Sequence, residues 1–129
     1  MSEMDSIVAE FVMEGNEKAD EVEKNLIELE NDPRSKESLA KVFRAVHTIK
    51  GATGFLGFTK LCTLAHCGEG LLVPLRDGAL VANTEITGAL LSLVDAMREI
   101  LTEIAATGKE GTTDYSILQE TLTRLRKSA

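Results

Sequence analysis

Apolar residues recur at helical spacing along most of this chain, and the breaks between the runs divide it into five segments. In the first, residues 7–30, Ile7, Phe11, Val22, Leu26 and Leu29 fall on one stripe with Val8, Val12 and Ala19 beside them. The opposite face carries Glu10, Glu17, Asp20, Glu21, Glu23, Lys24 and Glu28, and Asn31-Asp32-Pro33 stops the helix. A second helix is expected from Ser35, a suitable N-cap, with Leu39, Val42, Val46 and Ile49 as its stripe. It is expected to fray at Gly51 and Gly54, leaving Gly54-Phe55-Leu56-Gly57 as a tight apolar connection. The third runs from about Thr59 to Arg76, lined by Leu61, Leu64, Ala65, Gly68, Leu71, Leu72 and Leu75. Asp77-Gly78 ends it, and Pro74 is expected to kink or loosen its last turn. The fourth, capped by Asn83 or Thr84, shows the clearest period: Ile86, Leu90, Leu93, Val94, Met97, Leu101 and Ile104. After a loop at 107–111, a short fifth helix from Tyr115 to about Lys127 turns Ile117, Leu118, Leu122 and Leu125 toward the rest.

No segment alternates with strand period. Long helices with short connections imply antiparallel neighbours, so the expected fold is all-α: an up-down four-helix bundle with a fifth, C-terminal accessory helix. At 129 residues the chain suits one domain over its full length, 1–129. Composition supports this. Hydrophobic residues at 43% exclude a disordered chain, and aromatics at 4% require an aliphatic core, which suits packed helices. The net charge of -7 argues against nucleic acid or anionic lipid as partner and suits a protein surface of complementary charge. Cys62 and Cys67 are five apart and point to different faces of one helix, so no disulfide joins them. The first residues lack the pattern of a signal peptide, and no apolar run approaches the length of a membrane span, so a reducing, cytoplasmic setting with no membrane insertion is expected.

Few side chains look reactive. His47 lies more than a quarter-turn from the centre of the Leu39/Val42/Val46/Ile49 stripe, so it is a surface residue rather than part of the core. Lys50 and Gly51, three and four residues on, adjoin it. Lys50 is a cation within reach of an anionic group carried by His47. Gly51, costly in a helix by about 1 kcal/mol, suits close approach by another macromolecule, or else simply begins the helix end. On the third helix His66 and Glu69 share a flank that an antiparallel pairing brings near His47. Glu69 is the candidate orienting carboxylate, fixing the imidazole tautomer and leaving the other nitrogen as nucleophile, with His66 as a polar neighbour. A simple His66–Glu69 surface pair would satisfy the same spacing. An exposed histidine with a cation, a gap and a carboxylate suits in-line phosphoryl transfer. No Walker motif, kinase glycine-rich loop or Mg²⁺-binding carboxylate cluster accompanies it, so the chain is expected to carry a phosphoryl group rather than to draw it from ATP unaided.

The segment Phe43-Arg44-Ala45-Val46-His47-Thr48-Ile49-Lys50-Gly51 resembles the phosphorylation-site signature of histidine phosphotransfer (HPt) domains. The continuation Ala52-Thr53-Gly54-Phe55-Leu56-Gly57-Phe58, then His66-Cys67-Gly68-Glu69-Gly70-Leu71-Leu72, resembles the N-terminal phosphotransfer domain of CheA-type chemotaxis histidine kinases, and the likeness covers nearly the whole chain. The resemblance implies that His47 is phosphorylated at Nε2 by a CheA-type kinase catalytic domain using ATP and Mg²⁺, none of which this domain binds itself. It implies onward transfer to an aspartate on a CheY- or CheB-type receiver, with Lys50, His66 and Glu69 completing the active quartet. Phe43, Arg44 and Gly51 are the residues expected at the partner interface. Two other readings stay open at this stage. Cys62 and His66, four apart with Cys67 adjacent, could chelate a metal or haem in a helical bundle, although too few ligands converge. The chain could also be a docking module of a signalling array whose His47 is never phosphorylated.

Overall fold

The computed structural model describes residues 2–129 and contains five helices: α1 (Glu3–Asn31), α2 (Lys36–Leu56), α3 (Thr59–Arg76), α4 (Thr84–Thr107) and α5 (Ser116–Arg126). The first four form an up-down bundle in which α1 packs on α2 and α4, α2 on α3, and α3 on α4. The fifth lies across α3 and α4. Every stripe residue expected for α2, α3 and α4 is buried, and Leu26, Leu64, Leu93 and Met97 are among the fully buried side chains at the centre. This aliphatic core is what fixes the helix faces, since each such side chain contributes roughly 1.5–3 kcal/mol on burial.

Two boundaries differ from expectation. The first helix begins at Glu3 rather than residue 7, because Ser2 and Asp5 form a reciprocal capping box: Asp5 N donates to Ser2 Oγ at 3.0 Å and Ser2 N to Asp5 Oδ2 at 3.1 Å. The second helix does not fray at Gly51 or Gly54 but continues to Leu56, so residues 54–56 are helix and not a connection. Gly57, at φ +79°, then ends it in the left-handed region, and Phe58 N donates to Thr53 O at 3.0 Å. Two helical glycines cost about 2 kcal/mol together. Burying Thr53 and seating Phe58 against Phe11, with ring centroids 5.6 Å apart, requires the helix to reach this point and offsets that cost.

Pro74 does not break α3, which runs on to Arg76. The proline is close enough to the C-terminus that its own carbonyl accepts from Leu80 N in the turn that follows, at 3.1 Å. Two apolar residues assigned to the core are exposed instead. Ile7 falls at the margin of the α1 stripe, and Ile117, 79% exposed, faces away from the α5 contacts made by Leu122 and Leu125. A close approach of α3 to α4 depends on Gly68, where a Cβ would lie 2.4 Å from Leu93 Cδ2. Among the described residues no helix is long and apolar enough to cross a membrane.

Candidate functional site

Only Gly57 and Phe58 separate α2 from α3, so the two helices lie antiparallel and side by side. His47 and Lys50 project from the outer flank of α2 toward Glu69 on α3, 22 and 19 residues away in sequence. The imidazole is 62% exposed and the Glu69 side chain only 15%. His47 Nδ1 lies 2.6 Å from Glu69 Oε2, and Lys50 Nζ donates to Glu69 Oε1 at 2.7 Å. Burial alone pushes the Glu69 carboxyl pKa up. The hydrogen bonds from Lys50 and His47, with the charges behind them, outweigh burial and hold it below the ordinary glutamate value. An ionised Glu69 can only accept, so Nδ1 of a neutral His47 carries the hydrogen and Nε2 holds the lone pair. The outward-facing nitrogen is therefore the nucleophilic one.

Lys50 is tied to Glu69 rather than free in solvent, so its charge first serves to balance the carboxylate. His66 is exposed and, among the described residues, its side chain makes no hydrogen bond, so the simple His66–Glu69 pair does not form. Phe43, one turn before His47, is half-buried against the core, and its ring stacks on the imidazole with centroids 6.0 Å apart and planes 8° from parallel. Arg44 is exposed, and its carbonyl accepts from Thr48 Oγ1 at 2.8 Å. Gly51 and Gly54 leave open space, with nothing within 4 Å of where a Cβ would stand, and Phe55 beside them is 78% exposed.

One neighbour escaped the sequence reading. The Arg76 guanidinium lies 4.4 Å from the centroid of the Phe43 ring. It stands seven residues beyond Glu69, two helical turns along the same flank, and that spacing was the available signal. The cysteines are free and half-buried, and among the described residues no three His, Cys, Asp or Glu side chains converge closely enough to hold a metal ion.

The model of the Hpt domain family matches residues 6–107. The chain belongs to the Hpt domain family. This Hpt domain is 37% identical over 105 residues to chemotaxis protein CheA of Halobacterium salinarum, covering 81% of the chain, and 32% identical over 110 residues to the sensor histidine kinase CheAY of Helicobacter pylori, covering 85%. It spans only 16% and 14% of the length of those two relatives. Among solved structures, the phosphorylated P1 domain of CheA3 in complex with CheY6 from R. sphaeroides superposes with a TM-score of 0.86 at 28% identity, covering 96% of this chain and 98% of that one. The CheA phosphotransferase domain from Thermotoga maritima gives a TM-score of 0.76 at 29% identity, covering 81% of this chain and 98% of that one. The Hpt match and these neighbours agree with the helical bundle and with a role in phosphotransfer.

Proposed function

We propose that this Hpt domain, one folding unit over residues 1–129, is the phosphoryl carrier of a CheA-type chemotaxis kinase, and that His47 Nε2 is the acceptor. The observation that carries this is the Glu69 carboxylate bonded to Nδ1 of an otherwise exposed imidazole. In the first step the Nε2 lone pair attacks phosphorus, the Nε2–P bond forms and the P–O bond to the nucleotide leaving group breaks. The ring becomes cationic, and Glu69 stabilises that charge through Nδ1–H while Lys50 holds the carboxylate in place. In the second step a receiver aspartate oxygen attacks phosphorus and the N–P bond breaks, returning neutral imidazole. The donor would be ATP held with Mg²⁺ on a separate kinase catalytic domain. The acceptor would be a CheY- or CheB-type receiver, and the setting cytoplasmic. His66, exposed on α3 three residues before Glu69, is the fourth member of the quartet as a polar neighbour, while Arg44, Gly51 and the outer edge of Phe43 meet the incoming partner.

The test is intact mass after incubation with a CheA-type kinase domain and ATP–Mg²⁺, with a parallel aliquot acidified. An acid-labile gain of one phosphoryl group, absent in His47→Gln while the bundle stays folded, is the expected result. Retained acceptance in His47→Gln would sink the assignment.

A further inference from the structure

The hydrogen bond to Glu69 fixes one nitrogen of His47 but does not fix the plane of a ring that is 62% exposed. Two side-chain torsions set that plane, and one contact at Nδ1 leaves a swing of Nε2 unrestrained. The second restraint lies one turn back on α2. Phe43 presents its ring nearly parallel to the imidazole, with 8° between the planes and 6.0 Å between centroids, within the range for offset aromatic stacking. Phe43 is itself held, by the core beneath it and by the Arg76 guanidinium 4.4 Å from its centroid. Arg76 is in turn oriented by Asp77, whose Oδ1 lies 3.3 Å from Arg76 Nε.

These contacts form a rectangle between antiparallel helices. His47 meets Glu69 on one side; Phe43, four residues earlier, meets Arg76, seven residues later, on the other. Thus α3 reaches the imidazole twice, directly through Glu69 and indirectly through Arg76 and Phe43. We propose that Phe43 and Arg76 are positioning residues of the phosphoacceptor: Arg76 clamps Phe43, and Phe43 sets the plane in which Nε2 is offered. The proposal rests on the reading of His47 as the acceptor. It adds a role for Arg76 and gives Phe43 a duty beneath the imidazole as well as at the partner interface.

The experiment pairs a readout of the ring with a readout of the chemistry. Long-range ¹H–¹⁵N spectra of the His47 imidazole report tautomer and ring order whether or not the histidine is ever phosphorylated. Phosphorylation by the small donor phosphoramidate reports nucleophile presentation without a docking partner. Phe43→Leu and Arg76→Gln are expected to broaden or average the imidazole signals and to slow acceptance on the order of tenfold, as expected for loss of near-attack geometry. Phe43→Tyr and Arg76→Lys, which keep the ring and the cation, are expected to retain both. Arg76→Gln leaves the core intact, so the test survives if Phe43→Leu does not fold. Wild-type spectra and rates in a folded Arg76→Gln variant, or loss in Phe43→Leu equal to that in Phe43→Tyr, would overturn the proposal. A wild-type protein that takes no phosphoryl group would instead remove the acceptor reading, and the imidazole spectra would still decide the positioning.

Discussion

The Glu69 carboxylate lies 2.6 Å from Nδ1 of His47 across 22 residues of sequence, and its other oxygen is occupied by Lys50 at 2.7 Å. Glu69→Ala removes the group that fixes the tautomer but leaves the nucleophile. Phosphorylation is therefore expected to slow by about 10- to 100-fold without being abolished, the range typical of losing an orienting partner of a functional histidine. Initial rates of phosphohistidine formation measure this. An unchanged rate would reduce Glu69 to a surface charge.

The same pair predicts a pH response. The Glu69 pKa is depressed in the folded state, so the stabilisation it contributes is complete above the unfolded glutamate value and is lost as pH falls through the lower folded value. Near neutral pH the carboxylate stays ionised and the imidazole stays oriented. Titration of the Glu69 side-chain carbon by NMR should show a midpoint below the ordinary glutamate range. In Lys50→Met that midpoint should rise, because burial then acts with less opposition. A midpoint unmoved by Lys50→Met would show that the 2.7 Å contact has no electrostatic weight in solution.

Gly51 separates stability from docking. It is exposed within α2, and a Cβ there would meet nothing within 4 Å. Gly51→Ala should stabilise the bundle by roughly 0.5–1 kcal/mol through helix propensity. Gly51→Gln, with a longer side chain on the face that bears His47, should leave phosphoramidate phosphorylation intact yet slow transfer to a receiver. Equal receiver transfer by wild type and Gly51→Gln would mean that no partner approaches α2 closely at this point.

Much of this architecture was legible from periodicity because the core is aliphatic and each helix buries one stripe. The α3 positions named from spacing are the ones buried, and those named in α4 are all buried, with Thr87, Ala89, Ala96 and Ile100 buried beside them. The His47–Glu69 pairing was legible because any short connection makes α2 and α3 antiparallel neighbours, and the structure shortens it to Gly57 and Phe58. The end of α2 was not. Local propensity at Gly51 and Gly54 argues for fraying, whereas the burial of Thr53 and Phe58, a tertiary effect, keeps the helix going. The Ser2–Asp5 capping box is present in the sequence as a spacing of three, but it lies ahead of the apolar stripe that opens at Ile7, and Ile7 itself is exposed. The Arg76–Phe43 contact needed the register of α3 on α2, which hydrophobic pattern alone does not supply.

The start of α3 shows how far a needed partner can lie from its helix. Phe58 at the N-cap offers no side-chain hydrogen bond. Two of the orphan amides are instead taken by Glu110, from the loop between α4 and α5: Leu61 N donates to its Oε2 at 2.6 Å and Lys60 N to its Oε1 at 3.2 Å. Lys60 reciprocates by donating to Thr113 O at 2.6 Å and Gly111 O at 3.1 Å. A carboxylate at a helix N-terminus satisfies free N–H groups and favours the dipole, so Glu110→Ala is expected to cost about 1–2 kcal/mol. Glu110→Gln should fall between the two, because an amide oxygen still accepts but the charge is gone. Thermal unfolding should rank the proteins wild type, Gln, Ala, with a drop of several degrees for Ala. Glu69 lies more than two turns further along α3, so phosphorylation of His47 at a temperature where all three are folded should be the same in each. A stability ranking without that order would make the loop a passive cover rather than the cap of α3. A change in His47 phosphorylation would mean that the α4–α5 loop is coupled to the site through α3.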